Sequence, residues 1–172
     1  MKLLMVSDIH GDYKSLEKVL KNESFDRLVV LGDLFSYGKI ILDLNNNEII
    51  KLLKKYKDKL ILIRGNCDYF IDYEKIGLYA NDIITIRANN HDITLTHGNR
   101  YYRGFMPDFH GDIFASGHTH IPSIIKEGDM IYINPGSIGL PRSGSQKSYL
   151  VFDDNYIEIK TINGELEKRM NI

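Results

Sequence analysis

The chain reads as an α/β protein in which two packed mixed β-sheets are flanked by helices, and three features of its 172 residues lead there. Short apolar runs of strand length occupy the first third, with helical patterns between them. From Ile83 onward closely spaced strand-like segments take over, and no linker, repeat or second hydrophobic core separates the two regions. Strands alternating with helices favour a parallel sheet, and a run of further strands needs an opposing layer on which to bury its apolar face.

In order, Lys2–Ser7, Arg27–Leu31 and Leu60–Arg64 are the expected parallel strands. Between the first two, Asp12 can cap a helix whose apolar positions Leu16, Val19 and Leu20 recur at helical spacing until Asn22 to Ser24 breaks the pattern. Between the second and third, Ile49, Ile50, Leu52, Leu53 and Tyr56 repeat that spacing, and Lys54, Lys55, Lys57 and Lys59 meet the negative pole of the helix. The later segments Ile83–Arg87, Asp92–Thr96, Ile113–Ser116, Ile121–Lys126, Met130–Asn134, Ser148–Phe152 and Tyr156–Ile162 read as strands. Asp153-Asp154-Asn155 is a turn cluster that joins the last two as an antiparallel hairpin. Residues 1–172 are read as one domain.

Lys and Arg total 22 against 23 Asp and Glu, a formal net charge of -1, which disfavours a globally basic nucleic-acid binder. The apolar stretch Leu3 to Val6 is too short for a signal-peptide core, and no run is long enough to span a bilayer. A cytoplasmic protein is expected, and the single cysteine, Cys67, fits a reducing compartment. Self-association into a homo-oligomer stays open.

Chemistry collects where apolar runs stop. The first run leads into Asp8-Ile9-His10, the second into Gly32-Asp33, the third into Gly65-Asn66, the fourth into His97 and the fifth into Gly117-His118-Thr119-His120. Ligand sites in open α/β sheets form outside the carboxyl ends of the strands, so these loops can converge on one crevice. Asp8 and His10, like His118 and His120, lie two residues apart and in extended backbone project to the same side. Gly11, Gly32, Gly65, Gly98 and Gly117 adjoin them and permit tight turns. Singly, an Asp-x-His is a turn, a Gly-Asp a helix cap and a buried histidine a structural residue. Five such motifs in order, each at a strand end, outweigh those explanations.

His91 and His110 carry no motif and read as loop or surface residues, and the tyrosines and phenylalanines read as core or interface packing. Arg100 and Arg103 after His97, and Arg142 after Asn134-Pro135-Gly136-Ser137, are candidates to meet an anionic substrate.

With these residues in view, the chain resembles the calcineurin-like metallophosphoesterase superfamily, whose motifs D-x-H, G-D, G-N, H and G-H-x-H run here from Asp8 to His120. Asn134-Pro135-Gly136-Ser137 and the short length look like its small YfcE-type phosphodiesterase branch. The resemblance implies a four-layer αββα sandwich. It also implies a pair of divalent ions, one held by Asp8, His10 and His120, the other by Asn66, His97 and His118, with Asp33 bridging. Asp33, Asn66 and His97 would carry the catalytic role most directly. Oxygen and imidazole donors suit manganese, the expected occupant, as well as iron, cobalt, nickel or zinc. Such an ion pair would activate water for in-line attack on a small phosphate ester, most readily a diester. Cys67 stands where many members have a histidine that serves as general acid, and it is read as a small packed residue. The rival reading is a non-catalytic scaffold of the retromer-subunit type on the same fold. A nuclease would need a basic groove that the charge balance does not show.

Overall fold

The computed structural model describes residues 1–35, 44–108 and 110–172. Strands β1 (Leu3–Val6), β2 (Arg27–Val30) and β3 (Leu60–Leu62) are parallel, in the order β1-β2-β3. They are linked through α1 (Tyr13–Asn22) and α2 (Leu44–Lys54). A short 3-10 turn, Lys57–Lys59, leads into β3, and α3 (Phe70–Ile76) follows the G-N loop.

The second sheet holds β4 (Ile83–Ala88), β5 (His91–Thr96), β6 (Ile113–Ala115), β7 (Ser123–Glu127) and β8 (Met130–Asn134) in the order β4-β5-β6-β8-β7. The predicted strand from Ile121 starts two residues late, because Pro122 offers no N–H to a ladder. Then the chain returns. β9 (Ser148–Asp153) pairs antiparallel with β1 at Met5↔Leu150, and β10 (Tyr156–Thr161) and β11 (Leu166–Asn171) extend the first sheet to six strands. The two sheets therefore do not follow the two halves of the chain: the free side of β1 is completed by its last strands.

Period-2 alternation assigns each sheet face. Leu4, Val6, Leu28, Val30, Tyr149 and Val151 meet Leu16, Val19, Ile49 and Leu53 of the helices. Leu3, Met5, Val29, Leu150 and Phe152 face Ile93, Leu95, Ile113, Ile131 and Ile133 of the second sheet. Central strands covered on both sides lack a polar face, which explains their continuous apolar runs. Each such side chain stabilises the fold by about 1.5–3 kcal/mol relative to exposure.

The helical cover is uneven. The buried apolar residues of α1, α2 and α3 join one cluster on the six-stranded sheet. Among the described residues no helix covers the outer face of the other sheet, where Phe114 lies against Tyr132 and Gly111 N–H donates to Thr94. None of the described helices is long and apolar enough to cross a membrane.

The predicted cap of α1 is present: the Asp12 carboxylate accepts the Ser15 N–H at 3.0 Å and the Ser15 hydroxyl at 2.7 Å, and Lys147 reaches it from beyond the site. Burial opposes its ionisation, but Lys147 and Ser15 outweigh burial and hold the carboxyl below the usual range. Asp12→Ala should therefore lower stability by about 0.5–2 kcal/mol at neutral pH, read as a urea midpoint shift at unchanged slope. Because the folded-state pKa is the depressed one, this contribution is present above the unfolded value of about 3.9 and disappears as pH falls through the folded value. The difference between variant and parent should shrink accordingly in acid.

Candidate metal centre

The motif loops all leave the carboxyl ends of their strands, and backbone hydrogen bonds tie them together. Within the first sheet Asp8 N–H donates to Gly32 O at 3.1 Å and His10 N–H to Asp33 O at 3.0 Å. Across the sheets, His118 N–H donates to Asp8 Oδ2 at 2.9 Å, and within the second sheet Gly117 N–H donates to His97 O at 2.8 Å. The Asn134-to-Ser137 turn closes the assembly: Asn134 Nδ2 donates to Gly117 O, and the Ser137 hydroxyl to Asp8 O.

This convergence is bought with unusual backbone. Asp8 (φ 51°), His10 (47°), Asp33 (53°), His118 (66°) and His120 (61°) are all left-handed, which leaves Asn66 and His97 as the predicted site residues outside that region. Non-glycine residues there carry strain, which Asp and His tolerate better than most, and such residues gather at functional sites. The close approach also requires glycines. A Cβ on Gly117 would fall 1.9 Å from the Ser7 hydroxyl, and one on Gly65 would fall 2.1 Å from Asp33 Oδ1.

All seven predicted residues meet in one place. His120 Nε2 is 3.1 Å from Asp8 Oδ1, and His10 Nε2 lies 3.9 Å from Asp8 and 3.8 Å from Asp33. His97 Nε2 is 3.5 Å from Asp33 Oδ2 and 3.1 Å from Asn66 Oδ1, while the His118 ring sits 5.1 Å from that of His97. Asp33 thus lies between the His10 side and the His97 side. Asp8, His10 and His120 have donor atoms close enough for one ion, as do Asp8, Asp33 and His97. A further such group, His10, Asp33 and Cys67, includes the cysteine that the sequence placed beside the site as a packed residue.

The donor set fits a divalent cation. Among the described residues Asp8 and Asp33 are buried and their ion-pair partners are all imidazoles. His97 Nδ1 faces Leu31 O at 2.6 Å and His120 Nδ1 faces Leu140 O. A carbonyl can only accept, so each Nδ1 carries the proton and each Nε2 lone pair points at oxygen acceptors. Asp8 Oδ1 is fully buried and receives no well-aligned hydrogen bond despite its closeness to His120. Lone pairs opposed in this way need a proton or a cation between them.

The titration shifts express the same need. Burial lowers the pKa of His10 and His118. Burial would also lower that of His97, but Asp33 overrides it and raises it, and the adjacent Asp8 carboxylate raises that of His120. Burial pulls the Asp33 carboxyl upward, but His97 and the Cys67 N–H outweigh it and hold the group ionised far below the usual range. Burial and the neighbouring Asp33 push the Cys67 thiol up to about 12.

A supporting residue escaped the sequence reading. Asp68 is buried and accepts N–H groups from Asp33 (2.7 Å), Leu34 (2.8 Å) and Gly65 (2.9 Å), so it clamps the G-D loop to the G-N loop. The buried Tyr73 of α3 donates its hydroxyl to the same carboxylate. Its place two residues after Asn66 was the available signal. The three arginines singled out from sequence separate in space. Arg100 lines a cleft of about 450 Å³ beside Gly65 and Asn66, together with Arg64, which the sequence reading passed over. Arg142 N–H reaches His120 O at 3.3 Å, whereas Arg103 turns to Glu127 and the Tyr132 ring. His91 is paired with Asp112 away from the site.

Comparison with known proteins agrees with this geometry. The family model for the calcineurin-like phosphoesterase superfamily domain matches residues 1–155. Phosphodiesterase YfcE of Escherichia coli K12 is 28% identical over 173 aligned positions, covering 96% of this chain and 94% of that protein. The solved structure of the E. coli phosphoesterase YfcE superposes with a TM-score of 0.88 at 25% identity, covering 99% of this chain and 98% of that one. Vacuolar protein sorting 29 of Cryptosporidium parvum shares the fold at a TM-score of 0.69 and 16% identity, over 99% of this chain and 97% of the other. The matched domain spans every motif loop gathered here, and the chain belongs to the calcineurin-like phosphoesterase superfamily.

Proposed function

We propose that the chain is a phosphodiesterase working through two divalent ions, held by Asp8, His10 and His120 on one side and Asn66, His97 and His118 on the other, with Asp33 shared. The observation that carries this reading is the facing of buried imidazole lone pairs and carboxylate oxygens, with His97 and His120 each oriented by a carbonyl behind it. Bound there, a pair of divalent ions would supply Lewis-acid polarisation of a phosphoryl group and a lowered pKa for water, the chemistry of phosphate-ester hydrolysis. Asp33 stays ionised between the two groups. Leu31 O and Leu140 O fix the tautomers of His97 and His120, and Asn66 presents its Oδ1 next to His97 at the mouth of the cleft. Manganese is our first choice of metal, supported by the oxygen donors Asp8, Asp33 and Asn66, although the imidazoles suit iron, cobalt, nickel or zinc equally. The substrate is a small phosphate ester, and the place of action we favour is the cytoplasm. A scaffold on this fold has no physical need for this donor set, and a hydrolysis panel on chelator-stripped, remetallated protein separates the two readings.

Three outcomes follow from the arrangement. Asp33→Asn removes a charge shared by both groups, so it should weaken both ions together by at least ~10-fold, whereas Asn66→Ala should mainly deplete one. Elemental analysis after equilibrium dialysis reads this directly, and a full complement in Asp33→Asn would count against the bridge. Diesters should be preferred to monoesters, because a monoester dianion needs more cationic support than these residues give: Arg64 and Arg100 share Asp82, and Arg103 faces Glu127. A higher kcat/KM for 4-nitrophenyl phosphate than for bis(4-nitrophenyl) phosphate would sink this expectation. Cys67 supports neither attack nor protonation of an aryl leaving group, so Cys67→Ala should lose less than ~10-fold on bis(4-nitrophenyl) phosphate at equal metal content. A loss of ~100-fold or more, the scale of general acid catalysis, would assign the thiol a chemical role.

A further inference from the structure

We infer that the cleft beside Asn66 is a subsite for the nucleoside arm of the phosphate ester, an inference that rests on the phosphoesterase reading above. Asn66 lines this cleft while its Oδ1 lies 3.1 Å from His97 Nε2, so a group held in the cleft is within reach of phosphorus at the metal centre. The cleft has a volume of about 450 Å³, on the scale of one small-molecule arm and too small for a duplex.

Its lining selects a planar ring. Tyr101 and Phe105 give the cleft an aromatic shelf, their rings stacked with planes 12° and centroids 6.1 Å apart. A tight hairpin turn fixes the shelf: Tyr102 N–H donates to Phe105 O at 3.1 Å and Phe105 N–H to Tyr102 O at 2.8 Å. Phe105 remains 58% exposed, an apolar surface that a stacked ring would cover. The rest of the lining includes Arg64 and Arg100, both bonded to Asp82, and Asn99. Arg64 already lies over the Phe70 ring, 4.5 Å from its centroid, whereas the Arg100 side chain is 65% exposed and its one bond to Asp82 is 3.3 Å long. Guanidinium planes and aromatic rings are the surfaces on which nucleobases stack, and an amide can pair with a base edge. An alkyl arm would cover the guanidinium and amide N–H groups that Asp82 does not engage without pairing them, and a sugar alone would leave the shelf unused.

The test uses metal-loaded protein hydrolysing bis(4-nitrophenyl) phosphate, inhibited in parallel by adenosine 5′-monophosphate and by ribose 5-phosphate, which differ in the base alone. Stacking one base should make the nucleotide the tighter inhibitor by at least ~5-fold. Phe105→Ala should reduce that ratio toward unity, Phe105→Tyr should keep it, and Arg100→Ala should lower it. Equal inhibition constants in the parent protein overturn the subsite, as does a ratio unchanged in both Phe105→Ala and Arg100→Ala. Absence of hydrolysis with every divalent metal supplied overturns the phosphoesterase reading itself, and this control separates the two failures.

Discussion

The structure is organised around a cost: two carboxylates, Asp8 and Asp33, buried at the junction of two sheets with no lysine or arginine among their ion-pair partners in the described residues. A buried charge without a cation is expensive, and imidazoles whose Nδ1 protons are committed to carbonyls offset that cost incompletely. Burying the pair brings with it left-handed backbone at five of the site positions, worth roughly 1–2 kcal/mol of strain each. Such a centre persists because the surrounding frame over-determines it, and the frame explains why the loops are so densely cross-bonded.

Asp68 shows how the frame works. Its carboxylate gathers three backbone N–H groups from two loops and the hydroxyl of Tyr73, so the Asp33 and Gly65 loops are held against each other. Burial and the like charge of Asp33 raise its pKa against the pull of those donors. The clamp itself therefore carries electrostatic stress from the site it supports. On the opposite side Asp8 Oδ2 accepts the His118 N–H, so the second carboxylate is also a structural tie between the sheets. Ligand geometry and sheet packing are here properties of the same atoms.

What was legible in the sequence follows from range. The site residues could be read because each sits within a few residues of a strand end, a local pattern, and because the strands feeding it are apolar on both faces. α1 and its Asp12 cap were legible for the same reason. β11 was not, since LEKRMN lies at a sheet edge, where Arg169 pairs with Glu158 and stacks on Tyr156 instead of burying an apolar face. α3 is only seven residues long, and Tyr69, Phe70 and Ile71 near its start are exposed, so no amphipathic period could develop. The return of β9 to β1 is a contact between the chain's two ends, and nothing within either strand encodes its partner. Asp68 and the Arg64–Phe105 cleft belong to this class too: their significance arises from what lies opposite.

The division between metal centre and cleft also locates where substrate choice can vary. The proposed ligands are bound into the frame by main-chain and carbonyl contacts, so replacing one disturbs several hydrogen bonds at once, and Asp8 and His97 each touch both sheets. Phe105 and Arg100 have no such obligation: one sits on a hairpin turn, the other reaches Asp82 at 3.3 Å, and both are largely exposed. Surface positions of this kind change at a cost of within about 0.5 kcal/mol in stability, whereas leaving a buried carboxylate without its partner costs several. The chemistry is thus placed where the fold resists change and the recognition of the ester arm where it does not, which lets one rigid centre serve different esters by altering the shelf beside it.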